Sequence, residues 1–120
     1  MIDSPCPFCR ILTGESWAKI LYRDELVTAF EDLHPMAPVH LLIVTNRHIS
    51  SVNDVTQADE PALGRMTFVA RRLAKEHGVD QTGFRLVINT GPDASQSIYH
   101  LHMHLMGGKP LPFRMVGREF

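Results

Sequence analysis

Three of the chain's seven histidines stand at alternate positions in Tyr99-His100-Leu101-His102-Met103-His104-Leu105. In an extended strand successive side chains point to opposite faces, so the spacing puts His100, His102 and His104 on one face. Leu101, Met103 and Leu105 fall on the other, where they suit a core. Neutral imidazole is a nucleophile and an acceptor, and imidazolium is a donor to anions. Rings repeating every ~6.6–7 Å are set too wide for one metal ion bound at ~2.0–2.1 Å. They suit an anionic ligand lying along the row, above all a phosphate. The stretch Asn89-Thr90-Gly91-Pro92-Asp93-Ala94-Ser95-Gln96-Ser97, just upstream, is rich in turn formers and small donors able to face a phosphate. His40, after a proline-rich turn and inside an apolar run, is a fourth candidate, although a lone strand-end histidine is also an ordinary finding.

The only cysteines, Cys6 and Cys9, form a C-x-x-C pair. The opening MIDSPCPFCR has no basic segment followed by an apolar run, so no secretion signal is read and a cytoplasmic setting is expected. There a structural disulfide is disfavoured, and metal or redox use is the better question. No βαβ pattern follows the pair, which argues against thioredoxin-like exchange.

The elements that must carry these residues read as follows. Residues 5–14 suggest a short N-terminal helix stopped by Gly14. AKILYRD and LVTAFED are short strands joined by a turn at Asp24-Glu25, and HPMAP must be loop. VHLLIVTN is an apolar, β-branched strand. Thr56-Gln57-Ala58-Asp59 resembles a capping box opening a helix with Pro61 in its first turn. In that helix Leu63, Met66, Val69, Ala70 and Leu73 recur at helical spacing, Arg65, Arg71, Arg72 and Lys75 mark the wet side, and Gly78 closes it. FRLVINTG and SIYHLHMHLM are the last two strands. The class is α+β: an antiparallel five-stranded sheet, one long helix and a short N-terminal helix, with one sheet face on the long helix and the other open.

At 120 residues, 44% hydrophobic and 21% charged, the chain fits one domain, residues 1–120. A formal net charge of -1 gives no reason to expect nucleic acid or an anionic membrane as partner. No apolar run approaches the ~18 residues of a membrane span.

His100-Leu-His-Met-His-Leu-Met106 matches the alternating histidine signature of the histidine triad superfamily. CPFCRILTGE, AKILYRDE, AFEDLHPMAPVHLLIVTNRHIS and LVINTGPDASQSIYHLHMHLMGG resemble its Hint branch, the purine nucleoside phosphoramidases, over roughly residues 5–108. Gly107-Gly108 is similar to Hint proteins. The fragile-histidine-triad dinucleotide hydrolases would carry Pro-Arg there, and the galactose-1-phosphate uridylyltransferases are larger, with a shorter His-Pro-His form. The resemblance implies a homodimer with a joined sheet and a hydrolase acting on nucleoside 5′-phosphoramidates, adenylated amines or acyl-adenylates. It makes His102 the nucleophile that forms a nucleotidyl-histidine, oriented by the carbonyl of His100. It gives His104 and His40 phosphate contact and proton transfer, with Gln96 and Ser97 on the phosphate and leaving group and Asn89 in support. It gives Asp32 the ribose hydroxyls and lines a base pocket with Phe8, Phe30, Leu33 and Ile11, side chains that equally suit plain core packing. It also implies a structural zinc ion, unneeded for the chemistry itself, on Cys6, Cys9, His48 and His100. Ser95 stands where relatives commonly carry glycine and is expected to narrow the phosphate loop. The tail, residues 109–120, lacks the tryptophan typical of better-known relatives. A dinucleoside polyphosphate hydrolase or phosphorylase, and a nucleotide-binding interaction protein, are the alternative functions.

Overall fold

The computed structural model describes residues 6–112. The segment 113–120 of the tail and residues 1–5 lie outside it. The chain runs α1 (Pro7–Thr13), β1 (Ile20–Arg23), β2 (Val27–Glu31), β3 (Val39–Thr45), α2 (Glu60–Glu76), β4 (Phe84–Val87) and β5 (His102–Gly107), with single 3₁₀ turns at Val52–Asp54, Gln57–Asp59 and Pro92–Ala94. The five strands form one antiparallel sheet in the order β1-β2-β3-β5-β4.

Local chemistry accounts for the element boundaries. α1 starts at Cys6, whose sulfur accepts the Cys9 N–H, carries proline in its first turn, and ends where Gly14 turns left-handed at φ 88°. The β1–β2 turn is clamped by Asp24, which accepts the Leu26 and Val27 N–H groups at 2.7 and 2.9 Å and the Tyr22 hydroxyl at 2.6 Å, and pairs with Arg65 of α2. Burial alone would push the Asp24 carboxyl up. The hydrogen bonds from Tyr22, Val27, Leu26 and Arg65 overcome this and hold it well below the usual carboxylate range. The Thr56–Asp59 capping box is present, but it winds one 3₁₀ turn before α2 begins.

The main core lies between α2 and one sheet face. Met66, Val69, Ala70, Leu73 and Ala74 of α2 meet Leu41 and Ile43 of β3 and Leu101, Met103 and Leu105. Burying each large aliphatic side chain contributes roughly 1.5–3 kcal/mol, so this face anchors the row to the scaffold. The Gly107 backbone passes so close to Val79 and the Gly83 carbonyl that an added Cβ would meet them at 3.1–3.2 Å.

Three expectations are corrected. The opposite sheet face is not open throughout: α1 lays Phe8 and Ile11 across Phe30, Leu42 and Val44, forming a second, smaller buried cluster. The last strand begins at His102 rather than Ser97. β3 pairs with it only as far as Val44 opposite His102, and β4 only as far as Val87 opposite His104, so residues before His102 have no neighbouring strand and bend away. β4 likewise ends before Ile88, short of the full FRLVINTG run.

Candidate active site

β5 carries His102 and His104 opposite Val44 and Leu42 on the face that α1 shares, with ring centroids 5.1 Å apart. His100 sits just before the strand and is fully buried. Its ring therefore need not follow the strand's alternation, and it turns toward the N-terminal end of the chain.

Backbone partners fix the tautomers. A carbonyl can only accept. His102 Nδ1 lies 2.6 Å from the His100 carbonyl, so this nitrogen carries the proton and Nε2 is left as a bare lone pair. His100 Nε2 lies 2.7 Å from the Thr45 carbonyl and carries its proton there, leaving Nδ1 bare. An amide N–H can only donate. Met36 N–H donates to His40 Nδ1 at 3.0 Å, so His40 holds its proton on Nε2 and donates to His104 Nδ1 at 2.9 Å. His104 is left with an Nε2–H to offer a ligand. The Asp32 carboxylate approaches His40 Nε2 at 3.4 Å, while its other oxygen accepts the His34 N–H at 2.8 Å.

Burial favours the neutral rings. It pushes His102 down against the opposing pull of the His100 carbonyl and the Asp32 charge, and pushes His40 down against Asp32. His104 is driven to about 4 by burial, then by its neighbours His102 and His40. A neutral His102 is what nucleophilic attack requires.

The same reasoning separates two ligand-rich clusters. Asp32, His40 and His104 bring ligand atoms together, but a proton on His40 Nε2 sits between them, so the group is a hydrogen-bonded chain. In the group Cys6, Cys9, His48 and His100, all four ligand atoms lie within 4.8 Å of one another. The bare His100 Nδ1 faces Cys6 Sγ at 3.3 Å, Cys9 Sγ at 3.6 Å and His48 Nδ1 at 3.2 Å, and Cys9 Sγ lies 3.3 Å from His48 Nδ1. Lone pairs converging on a common point can hold a metal ion. His48 is presented by a braced turn. The Thr45 hydroxyl donates to the Arg47 carbonyl at 2.8 Å, and the Arg47 guanidinium forks onto Asp59, whose carboxyl it helps push down to about 2.

The remaining candidates fall as follows. Phe8 packs edge-on to His102 at 5.0 Å, to His100 at 5.9 Å and to Phe30 at 5.5 Å. Phe8, Phe30 and Ile11 are buried together, whereas Leu33 is 64% exposed. Gln96 is buried with its carboxamide engaged inside the loop: it accepts from Gly91 N–H and donates to the Ser50 and Ile98 carbonyls. It braces the loop rather than reaching out of it. Ser97 is exposed and Asn89 half-buried. Ser95 is exposed and adopts φ 63°, ψ 35°, a left-handed conformation that favours glycine. The groups that sequence reasoning misses are the Thr45 carbonyl and the Met36 N–H. Being backbone, they leave no mark in residue type.

Comparisons with known proteins identify the family. The family model for the HIT domain matches residues 13–111. The chain is similar to the purine nucleoside phosphoramidase of Escherichia coli (strain K12), 48% identical over 104 residues that make up 87% of each chain. It is similar in structure to a HIT family hydrolase from Legionella pneumophila (TM-score 0.87, 39% identity, covering 90% of this chain and 96% of that one). A histidine triad protein from Clostridium difficile gives a TM-score of 0.87 at 41% identity, covering 93% and 97%. With its matched domain, its relatives and its row of histidines, this chain belongs to the histidine triad family.

Proposed function

We propose that the chain is a hydrolase of nucleoside 5′-phosphoramidates and related adenylated amines or acyl-adenylates. The observation that supports this most is the bare Nε2 of His102, created by the 2.6 Å bond from its Nδ1–H to the His100 carbonyl. His102 Nε2 attacks the α-phosphorus, a P–N bond forms to histidine, and the P–N bond to the leaving amine breaks. The His104 Nε2–H donates toward that amine. Water then attacks the nucleotidyl-histidine, its proton passes to the surrounding imidazoles, and the nucleoside monophosphate leaves with His102 restored. Two moderate displacements replace one hard one. His40, with both nitrogens engaged, positions His104. Asp32 supports positive charge on the histidines and is the carboxylate available to ribose hydroxyls. Phe8, Ile11 and Phe30 form the apolar wall for the base, and the exposed Ser97 hydroxyl is the loop's donor toward phosphate, with Asn89 behind it.

The test is turnover and trapping. Wild-type protein should release nucleoside monophosphate from adenosine and guanosine phosphoramidates faster than from diadenosine polyphosphates, and a nucleotidyl-enzyme should be trapped by rapid acid quench. A His102→Ala protein that keeps its fold and turns over near the wild-type rate would refute the covalent route.

The Cys6, Cys9, His48 and His100 group fits zinc. Tetrahedral zinc with nitrogen at ~2.0–2.1 Å and sulfur at ~2.3 Å has N···N edges of ~3.3 Å and N···S edges of ~3.6 Å, which the separations of 3.2 to 3.6 Å approach. Bound there, zinc would supply structural cross-linking. About one zinc per chain is expected by elemental analysis of untagged protein, with thermal stability falling on chelation.

A homodimer joined through β4 is part of the same reading. Among the described residues β4 pairs on one side only, and Leu86, Ile88 and Phe68 are exposed. Light scattering should give twice the chain mass. A cytoplasmic setting accords with the thiol pair, and no described helix is long and apolar enough to cross a membrane.

A further inference from the structure

The Cys-x-x-Cys segment does more than contribute ligands. Cys6 Sγ also caps α1 by accepting the Cys9 N–H at 3.3 Å. Phe8, between the two cysteines, presses its ring edge-on to His102. On the other side of the cluster, His100 gives its ring nitrogen to the group and its carbonyl to His102. The nucleophile is thus held from two directions by residues whose positions the two sulfurs set. Both cysteines and His48 are open in part or whole to solvent.

We propose that Cys6 and Cys9 are a reversible oxidation site, and that their disulfide form turns His102 off; the consequence for turnover rests on the hydrolase reading above. The oxidant is a hydroperoxide. One thiolate attacks the peroxide oxygen, the O–O bond breaks, and a sulfenic acid and water (or an alcohol) result. The second thiolate attacks that sulfur, the S–O bond breaks, and hydroxide leaves as water. Two thiolates, one hydroperoxide and two protons give one disulfide and two molecules of water or one each of water and alcohol. A dithiol reverses it.

The sulfurs already lie within 4.8 Å of each other and must close to ~2.05 Å. Closure draws Cys6 Sγ off the α1 cap and removes two of the four metal ligands. The bare His100 Nδ1 is then left 3.2 Å from His48 Nδ1 without a cation between them. With its own proton committed to the Thr45 carbonyl, it can only accept from a His48 Nδ1–H, so the pair passes from metal-held to hydrogen-bonded geometry. Movement of His100 and of Phe8 both act on His102. Unlike exchange by a redox enzyme, this bridge acts through shape.

Zinc-loaded protein should be treated with hydrogen peroxide and followed by four readouts: thiol count, zinc release to a colorimetric chelator, the ¹⁵N and ¹H resonances of the His102 Nδ1–H, and turnover of adenosine phosphoramidate. The expectation is loss of both thiols, release of zinc, a shifted or broadened His102 resonance, and a fall in turnover of about tenfold or more. Dithiothreitol with zinc should restore all four. Cys9→Ser, whatever its starting rate, should lose the reversible component. If that variant does not fold, wild-type protein stripped of zinc under reducing conditions and then oxidised serves in its place. Disulfide formation and zinc release with an unmoved His102 resonance would overturn the proposal, as would thiols that resist peroxide. Reduced protein without any turnover would instead sink the hydrolase reading, and the thiol, zinc and resonance readouts would still decide this one.

Discussion

Replacing His40 with leucine tests the tautomer chain directly. His40 is 5% exposed, accepts the Met36 N–H at 3.0 Å and donates to His104 at 2.9 Å. Leucine removes both bonds. A buried group stripped of its partner costs about 1–3 kcal/mol. Met36 is exposed, so its N–H can turn to water, while the half-buried His104 Nδ1 carries most of the penalty. Extra apolar burial returns about 1 kcal/mol, so net destabilisation of roughly 1–2 kcal/mol is expected. The chemical effect should be larger. Without a donor at Nδ1, His104 is free to hold its proton there, which takes it from Nε2, where the proposed mechanism delivers it to the leaving group. Positioned acid–base catalysis contributes ~10²–10⁴-fold, and partial loss should cost about 10–100-fold in kcat, with KM little changed because the proton is needed in the transition state. The leaving group provides the control. An adenosine 5′-(4-nitrophenyl phosphate) departs without protonation, so His40→Leu should leave its rate within a few fold of wild type. Equal losses on the phosphoramidate and the nitrophenyl ester, or His104 retaining its Nε2–H by ¹⁵N NMR in the variant, would refute the reasoning.

Gly108→Ala should be markedly destabilising. Its φ of +96° costs other residues about 1–2 kcal/mol, and the new Cβ would meet Pro38 Cβ at 3.0 Å, so the melting temperature should fall on the order of 10 °C. Ser95→Gly should act the other way: relieving φ 63° should gain roughly 0.5–1 kcal/mol and raise the melting temperature about 2–4 °C by calorimetry. Acid should weaken the fold through His104. Burial lowers its pKa to about 4 from 6.5, so the unfolded chain binds the proton first, and stability falls as pH drops from about 6.5 toward 4. Urea midpoints should decline across that window, and His104→Asn should flatten the decline; a midpoint unchanged between pH 7 and 5 would contradict the assignment.

Much of this was legible in residue order. Alternation is a property of the strand itself, so the shared face of His102 and His104, and the burial of Leu101, Met103 and Leu105 opposite, follow from period alone. The end of that strand does not, because it depends on where β3 and β4 stop, and so alternation alone puts His100 in a row it leaves. The capping box and the glycine stops are local rules and were readable. The groups that set the tautomers are backbone carbonyls and amides, and no residue type announces them. The four-ligand cluster spans Cys6 to His100, a separation that only the family resemblance bridged. In the sequence Gly108 is a family mark, and in the structure its cause is mechanical: a left-handed turn pressed against Pro38.

The contact between Cys6 and His100 joins positions 94 residues apart. Closing so long a loop is entropically slow relative to pairing β1 with β2 or β2 with β3, which are near in sequence. During synthesis those hairpins can form while the histidine row has yet to leave the ribosome. A chain stopped before β5 would keep only the β1-β2-β3 pairings, leave β4 without its partner strand, and lack His102, the nucleophile of the proposed mechanism. On the proposed mechanism, turnover would thus report that the last strand is in place, and a partly made copy would be silent.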